Sequence, residues 1–191
     1  KLIFEGEYLN GKRWNGKGKE YNYDSELIFE GEYLNGKKNG KCKEYYNSKL
    51  MFEGEYLIGI RNGKGKEYYK DGKLLFEGKY LNGERSGEGK EYNNNGKLIF
   101  EGEYLNGKIW NGKVKEYSLF GELIFEGEYL NGKRNGKVKE YNFLNGKLIF
   151  EGQYLNGKRN GKFKEYYNSK LIFEGEYLNE KGKEKNFQNQ A

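Results

Sequence analysis

Residues 73–92 read K-L-L-F-E-G-K-Y-L-N-G-E-R-S-G-E-G-K-E-Y. Around Phe76 the chain alternates: Phe76, Gly78 and Tyr80 point one way, and Glu77, Lys79 and Leu81 the other. Alternation with aromatic residues marks a β-strand. A turn segment N-G-x-x-x-G, Asn82 to Gly87, follows, and then a second short strand ending in G-K-E-Y. A second turn leads into the next stretch of the same kind. Asp71-Gly72, Asn95-Gly96 and Asn145-Gly146 are strong hairpin signals there, because a type I′ turn needs positive φ. Asn47-Ser48 and Asn168-Ser169 are weaker versions. No helical periodicity competes with this reading.

The same phrase recurs along the whole chain, with its Phe at positions 4, 29, 52, 76, 100, 125, 150 and 173, a period of about 24. A fixed period of this size predicts nearest-neighbour contacts rather than one central core. Residues 1–179 therefore read as one array of about eight hairpins, and 180–191 as a degenerate cap or tail. The expected fold is all-β: an elongated, single-layer, twisted antiparallel array of β-hairpins, since long open sheets twist.

One copy suggests a register. Most copies carry Glu at the second acidic position of the first strand and Lys at the start of the second, as in Glu32 and Lys41. Here both are reversed, to Lys79 and Glu88. A directly opposed ion pair accounts for such a swap. It sets Tyr80 against Gly87, Gly78 against Gly89 and Phe76 against Glu91, with aromatics over glycines on one face and a Glu/Lys lattice on the other.

Composition narrows the function. The 191 residues include 30 Gly, 19 Tyr and 12 Phe, but no His, no Pro and one Cys. Ser-His, Cys-His and His-ligated zinc chemistry are excluded, and Cys42 has no disulfide partner within the chain. No cofactor or metal is expected. Glutamate pairs such as Glu5 and Glu7 recur beside lysines in nearly every copy, so they read as lattice rather than catalytic carboxylates, and no enzyme is expected. The net charge of +6 weakly favours acidic partners. Basic strand residues alternate with glutamates, which argues against nucleic acid. No apolar run approaches a membrane-spanning helix. The chain begins at Lys1 in mid-pattern, as a fragment or processed product would. The expected location is the cytoplasm or its membrane periphery, with secretion left open.

The phrase F-E-G-E-Y-L-N-G-K-R-N-G-K closely resembles the MORN (membrane occupation and recognition nexus) repeat, written Y-x-G-x-W-x-x-G-x-x-x-G-x-G. In one copy the match runs through Phe52, Gly54, Tyr56, Gly59, Gly63 and Gly65. The resemblance extends over residues 2–179, and the continuous form is also similar to bacterial MORN-variant repeats. It departs at the last Gly, which is Gly18, Cys42, Gly65 and Gly89, then Val114, Val138 and Phe163. The second half is thus expected to fill a hole that the first leaves open. The resemblance implies a non-catalytic scaffold that binds a protein or peptide, forms a homodimer, or touches acidic, phosphoinositide-bearing membrane. Variant repeats also imply an antitoxin or immunity-type partner that binds a toxin.

Three surfaces are candidates. The aromatic groove comprises Phe4, Tyr8, Phe29, Tyr33, Phe52, Tyr56, Phe76 and Tyr80, read as core rings with part of the stripe open to a partner, chiefly within residues 2–90. A basic row runs along the first turns: Lys12, Arg13, Lys37, Lys38, Arg61, Arg85, Lys108, Lys133, Arg134, Lys158 and Arg159. It would meet anionic head groups, or else keep the sheet edge solvated. Trp14 and Trp110 each occupy one extra turn position, either as exposed anchors or folded onto the neighbouring hairpin.

Overall fold

The computed structural model describes residues 3–178 and 181–185. All its regular elements are strands. They fall into two compact units. The first, residues 1–98 with 104–107, holds β1 (Phe4–Leu9), β2 (Lys12–Tyr21), β3 (Leu27–Leu34), β4 (Lys37–Tyr46), β5 (Lys49–Leu57), β6 (Ile60–Tyr68), β7 (Leu74–Leu81) and β8 (Glu84–Tyr92). Strand β9 (Leu98–Leu105) has residues in both. The second, residues 99–103 with 108–191, holds β10 (Lys108–Tyr117), β11 (Leu123–Leu130), β12 (Lys133–Tyr141), β13 (Leu148–Leu155), β14 (Lys158–Tyr167), β15 (Lys170–Leu178) and β16 (Lys181–Lys185). Consecutive strands from β1 to β8, and from β10 to β16, pair antiparallel. The fold is the all-β, single-layer hairpin meander that the alternation predicts. Of residues 180–191, 181–185 form β16 against β15, and the others lie outside the described residues.

The turns differ from expectation. The Asn-Gly inside L-N-G-K is itself a two-residue turn: Asn35 and Gly36 have φ of 50° and 73°, and Asn82 and Gly83 have 52° and 88°. Both angles are positive, as a type I′ turn demands. The second strand therefore starts directly after the glycine, and the expected N-G-x-x-x-G turn is mostly strand. At the other edge the ranking of signals reverses. Asn47-Ser48 (φ 48° and 59°) and Asn168-Ser169 (φ 49° and 64°) are the two-residue turns. At Asp71-Gly72, Asn95-Gly96 and Asn145-Gly146 only the glycine is left-handed, within longer loops such as the one closed by Asn93 N–H to Lys97 O at 2.9 Å.

The proposed opposition of Lys79 and Glu88 is also corrected. Phe76 does face Glu91 and Gly78 faces Gly89, but the register then slips, and Tyr80 faces Arg85 rather than Gly87. The slip is a bulge at a left-handed glycine: Gly40, Gly63, Gly87, Gly136 and Gly161 have φ between 66° and 98°. Lys79 instead faces Lys64 of the preceding strand, where other copies set Glu against Lys, as in Lys17–Glu32 and Lys41–Glu55. The second acidic position serves the bulge. The Glu55 carboxylate lies over Gly63 and accepts the Lys64 N–H at 3.1 Å.

Neighbouring hairpins are stitched by backbone. Gly36 donates to Trp14 O at 2.9 Å, Gly59 to Lys38 O at 2.8 Å and Gly83 to Arg61 O at 2.9 Å, and the second unit repeats this with Gly132 to Trp110 O and Gly157 to Arg134 O, both at 2.8 Å. Each turn is thereby fixed by the hairpin before it, as a nearest-neighbour array requires.

Candidate binding surfaces

The aromatic face is a finished core. Phe29, Phe52 and Phe76 are at most 1% exposed, and Phe4, Tyr33, Tyr56 and Tyr80 are buried. The rings meet edge-on, with Phe52 5.3 Å from Tyr80 and Phe76 5.3 Å from Tyr104 at near-perpendicular planes. Glycines make room for them, since a Cβ on Gly65 would come within 2.7 Å of the Phe52 ring. Of the eight groove residues only Tyr8, on the outermost strand, is exposed, at 57%.

The outer side of these rings is covered by charge. Arg61 lies 4.0 Å over Phe52, Arg85 4.1 Å over Phe76, Arg134 3.9 Å over Phe125 and Arg159 4.0 Å over Phe150. Each cation also holds the glutamate of the preceding E-Y pair: Arg61 with Glu44, Arg85 with Glu67 at 2.7 Å, and Arg159 with Glu140 at 2.9 Å. Arg85 reaches its own hairpin's Glu91 as well, at 3.3 Å. Tyrosine hydroxyls complete the ladder. Tyr33 donates to Glu20 at 2.6 Å, Tyr104 to Glu91 at 2.6 Å, and Tyr80 to Glu67. Burial alone would raise the Glu67 carboxyl. The hydrogen bonds from Arg85 and Tyr80 and the charges of Arg85 and Arg61 outweigh it and hold the group below its ordinary 4.5. Burial and then the hydrogen bond to Glu20 push the Tyr33 hydroxyl far above its usual range.

No hole is left open in the first unit. Gly18, Cys42, Gly65 and Gly89 are all buried beneath neighbouring rings. Where the last glycine becomes Val114 or Val138, the larger side chain is buried instead, and Tyr129 and Tyr154 move out to partial exposure. Phe163 goes further and stacks on Phe150 and Phe173 at 5.9 and 5.4 Å. The substitutions exchange one buried volume for another. Burial raises the Cys42 thiol, consistent with a packed, inert sulfur.

The basic row splits in two, because adjacent residues on a strand point to opposite faces. Arg13, Lys38, Arg61, Arg85, Arg134 and Arg159 belong to the covered aromatic face, half-buried beside Tyr partners such as Tyr33–Lys38 and Tyr80–Arg85. Lys12, Lys37, Lys108, Lys133 and Lys158 are exposed and sit on the other face. The single edge of paired cations is thus half its expected size. Trp14 and Trp110 are half-buried, each folded against the turn of the next hairpin, with ring atoms 3.6 and 3.5 Å from where a Cβ on Gly36 or Gly132 would sit. Trp14 is the residue skipped where Tyr8 pairs with Arg13 and Glu7 with Asn15.

Two features were missed in the sequence. On the face opposite the aromatics, each first turn presents a half-exposed leucine: Leu34, Leu57 and Leu81 in the first unit, Leu130 and Leu155 in the second. The L of L-N-G-K follows the buried tyrosine by one position, so alternation alone puts it there. At the opposite edge, the turns of the second unit carry exposed Leu119, Phe120, Phe143 and Leu144. Among the described residues, no cluster of His, Cys, Asp and Glu could hold a metal ion.

Residues 29–51, 52–73, 125–137 and 150–168 match the family model of the MORN repeat, and residues 85–106 match that of the MORN repeat variant. Together the matches span about half of the chain. No curated protein matches it.

Proposed function

The chain belongs to the MORN-repeat family, whose repeats bind proteins or membranes, and we propose that it works as a non-catalytic, protein-binding scaffold. The observation that supports this reading is the recurring leucine at each first turn. The rings expected to form a groove are spent on the core, and their charged cover is paired. The leucines stay about half-exposed, and they recur once per hairpin beside turns fixed by backbone hydrogen bonds. A periodic apolar row suits an extended protein segment, which can place one side chain against each hairpin. A toxin neutralised by occupancy is one partner of this kind. The scaffold acts in the cytoplasm.

The test is capture of a partner by the full chain, followed by reconstitution from purified components. Changing Leu34, Leu57 and Leu81 together to Ser should abolish binding without altering the circular dichroism spectrum. Retention of the partner by that variant sinks the reading.

A second reading has its own support. Several leucines pair in register with an exposed lysine: Leu9 with Lys12, Leu34 with Lys37, Leu130 with Lys133 and Leu155 with Lys158. An apolar side chain beside a cation suits an acidic membrane surface. Co-sedimentation with phosphoinositide-containing vesicles, against neutral ones, should then fall steeply with salt. Equal binding to both kinds of vesicle would remove this reading.

A further inference from the structure

The sheet itself sets the interval of the first-turn leucines. Leu34, Leu57 and Leu81 end β3, β5 and β7, so each lies two strands from the next. Two strand spacings amount to roughly 9.6 Å. That interval holds out to the turns, because Gly59 N–H donates to Lys38 O at 2.8 Å and Gly83 N–H to Arg61 O at 2.9 Å. A partner that seats one side chain on each leucine must repeat at the same interval. A β-strand repeats a face every two residues, or roughly 6.7 Å. An α-helix returns to nearly the same face after seven, or roughly 10.5 Å, and drifts by about 20° each time. Polyproline II has three residues per turn, so it returns after roughly 9.3 Å without drift. Of these conformations it alone keeps step with the row.

The charges beside the row carry a second, independent feature. On this face the second acidic position opposes a lysine of the strand before it, as in Lys17–Glu32, Lys41–Glu55, Lys113–Glu128 and Lys162–Glu176. Lys64 instead opposes Lys79. Both are exposed, and among the described residues neither makes an ion pair, even with Glu88 beyond the Gly87 bulge. Like charges directly opposed repel, and a carboxylate placed between them relieves the repulsion. Lys79 is two residues from Leu81 on the same face of β7, roughly 6.7 Å along the strand. At the turn itself Leu81 pairs with Glu84, where Leu34 pairs with Lys37, and that carboxylate suits an anionic membrane poorly.

We propose that the leucine row of the first unit binds a polyproline II segment with an apolar residue at every third position and a carboxylate between the two that seat on Leu57 and Leu81. This names the conformation and chemistry of the scaffold's partner, and it rests on the scaffold reading. One apolar side chain packs on each of Leu34, Leu57 and Leu81, and the carboxylate lies between Lys64 and Lys79. A polyproline II backbone makes no hydrogen bonds within itself, and proline at the intervening positions fixes it before binding, which lowers the cost of ordering the segment.

Fluorescence anisotropy of labelled synthetic peptides with the full chain tests this. The probe is a Leu-Pro-Glu repeat. Its controls are a Leu-Pro-Gln repeat, an acidic peptide with leucine at every second position, and an acidic helix-forming peptide with leucine at every seventh. The Leu-Pro-Glu repeat should bind about ten-fold tighter than either peptide of different spacing, and binding should vanish when Leu34, Leu57 and Leu81 are all changed to Ser with the circular dichroism spectrum unchanged. Lys79→Glu gives β7 the charge that other copies carry. It should weaken the Leu-Pro-Glu repeat about ten-fold and leave the Leu-Pro-Gln repeat unaffected. Equal binding of all spacings, binding that survives the leucine change, or no peptide binding overturns the proposal. An equal effect of Lys79→Glu on both triplet repeats overturns it as well. Phosphoinositide vesicles that bind through these leucines while no peptide does would give the row to lipid. A captured partner that needs the leucines, beside a Leu-Pro-Glu repeat that does not bind, leaves the scaffold standing and removes only this inference. A captured partner indifferent to the leucines removes the scaffold reading itself.

Discussion

Ile58 occupies the first position of a type I′ turn, with φ of 52°, where the equivalent turns have Asn10, Asn35, Asn82, Asn106, Asn131 and Asn156 at 49–52°. The left-handed region costs an ordinary L-residue roughly 1–2 kcal/mol, and a β-branched side chain is poorly suited to it, whereas asparagine tolerates it. Ile58→Asn should recover most of that. The opposing loss is small. The side chain is 62% exposed, so about a third of a full burial worth ~1.5–3 kcal/mol is given up, less whatever the denatured chain already hides. The net expectation is a gain of about 0.5–1 kcal/mol. Urea unfolding should show a higher midpoint at unchanged m. The reciprocal change Asn82→Ile, at φ of 52°, should lose a similar amount. If Ile58→Asn is neutral and Asn82→Ile costs nothing, the turn assignment is wrong.

Arg85 is the most enclosed cation of the aromatic face, paired with Glu67 at 2.7 Å and Glu91 at 3.3 Å. Arg85→Ala should cost about 3 kcal/mol, by taking the nearer cation from Glu67, which keeps Arg61 at 3.8 Å, and the cation at 3.3 Å from Glu91. Arg85→Met with Glu67→Gln should cost less than Arg85→Ala, which thermal unfolding of both variants can measure. Because the folded Glu67 carboxyl is held below 4.5, it contributes stability that is present above that pH and lost as pH falls through its folded value. The buried tyrosines act in the opposite sense. Their raised values contribute stability that is present below pH 10 and lost as pH climbs through them. Urea midpoints should therefore be level between these limits and fall on both sides, with a smaller acid fall in Glu67→Gln.

The period and the alternation were legible because both are properties of the local chain. The phenylalanines predicted as core are core for the same reason. The adjacency of Lys37 and Lys38, or of Lys133 and Arg134, also contained the split of the basic row, since neighbours on a strand cannot share a face. Reading those residues as part of a turn hid it. The cation over the ring was less accessible. Arg61 reaches Glu44 seventeen positions earlier, a distance set by hairpin stacking rather than by any spacing within one copy. The bulge was hidden too, because the swapped Lys79 and Glu88 fit an ion pair as well as they fit two positions flanking a left-handed Gly87.

What varies among the copies indicates where recognition can reside. On the aromatic face a ring, a glycine, a cation and a glutamate depend on one another, and a larger Val138 is accommodated only as Tyr154 moves outward. On the other face Glu and Lys are set by register, and hydroxyls such as Tyr68 bind Glu53 at 2.6 Å. A change on either face is transmitted to the next hairpin. The turns between copies are freer, because their closure uses backbone groups with a Ser or Asn side chain. They range from the two residues Asn47-Ser48 to the six of Asn142 to Lys147 without disturbing the antiparallel pairing of the strands they join. Side chains at their tips can change at little cost to the sheet. An array built this way keeps its architecture in the faces and can diversify its contacts at the edges.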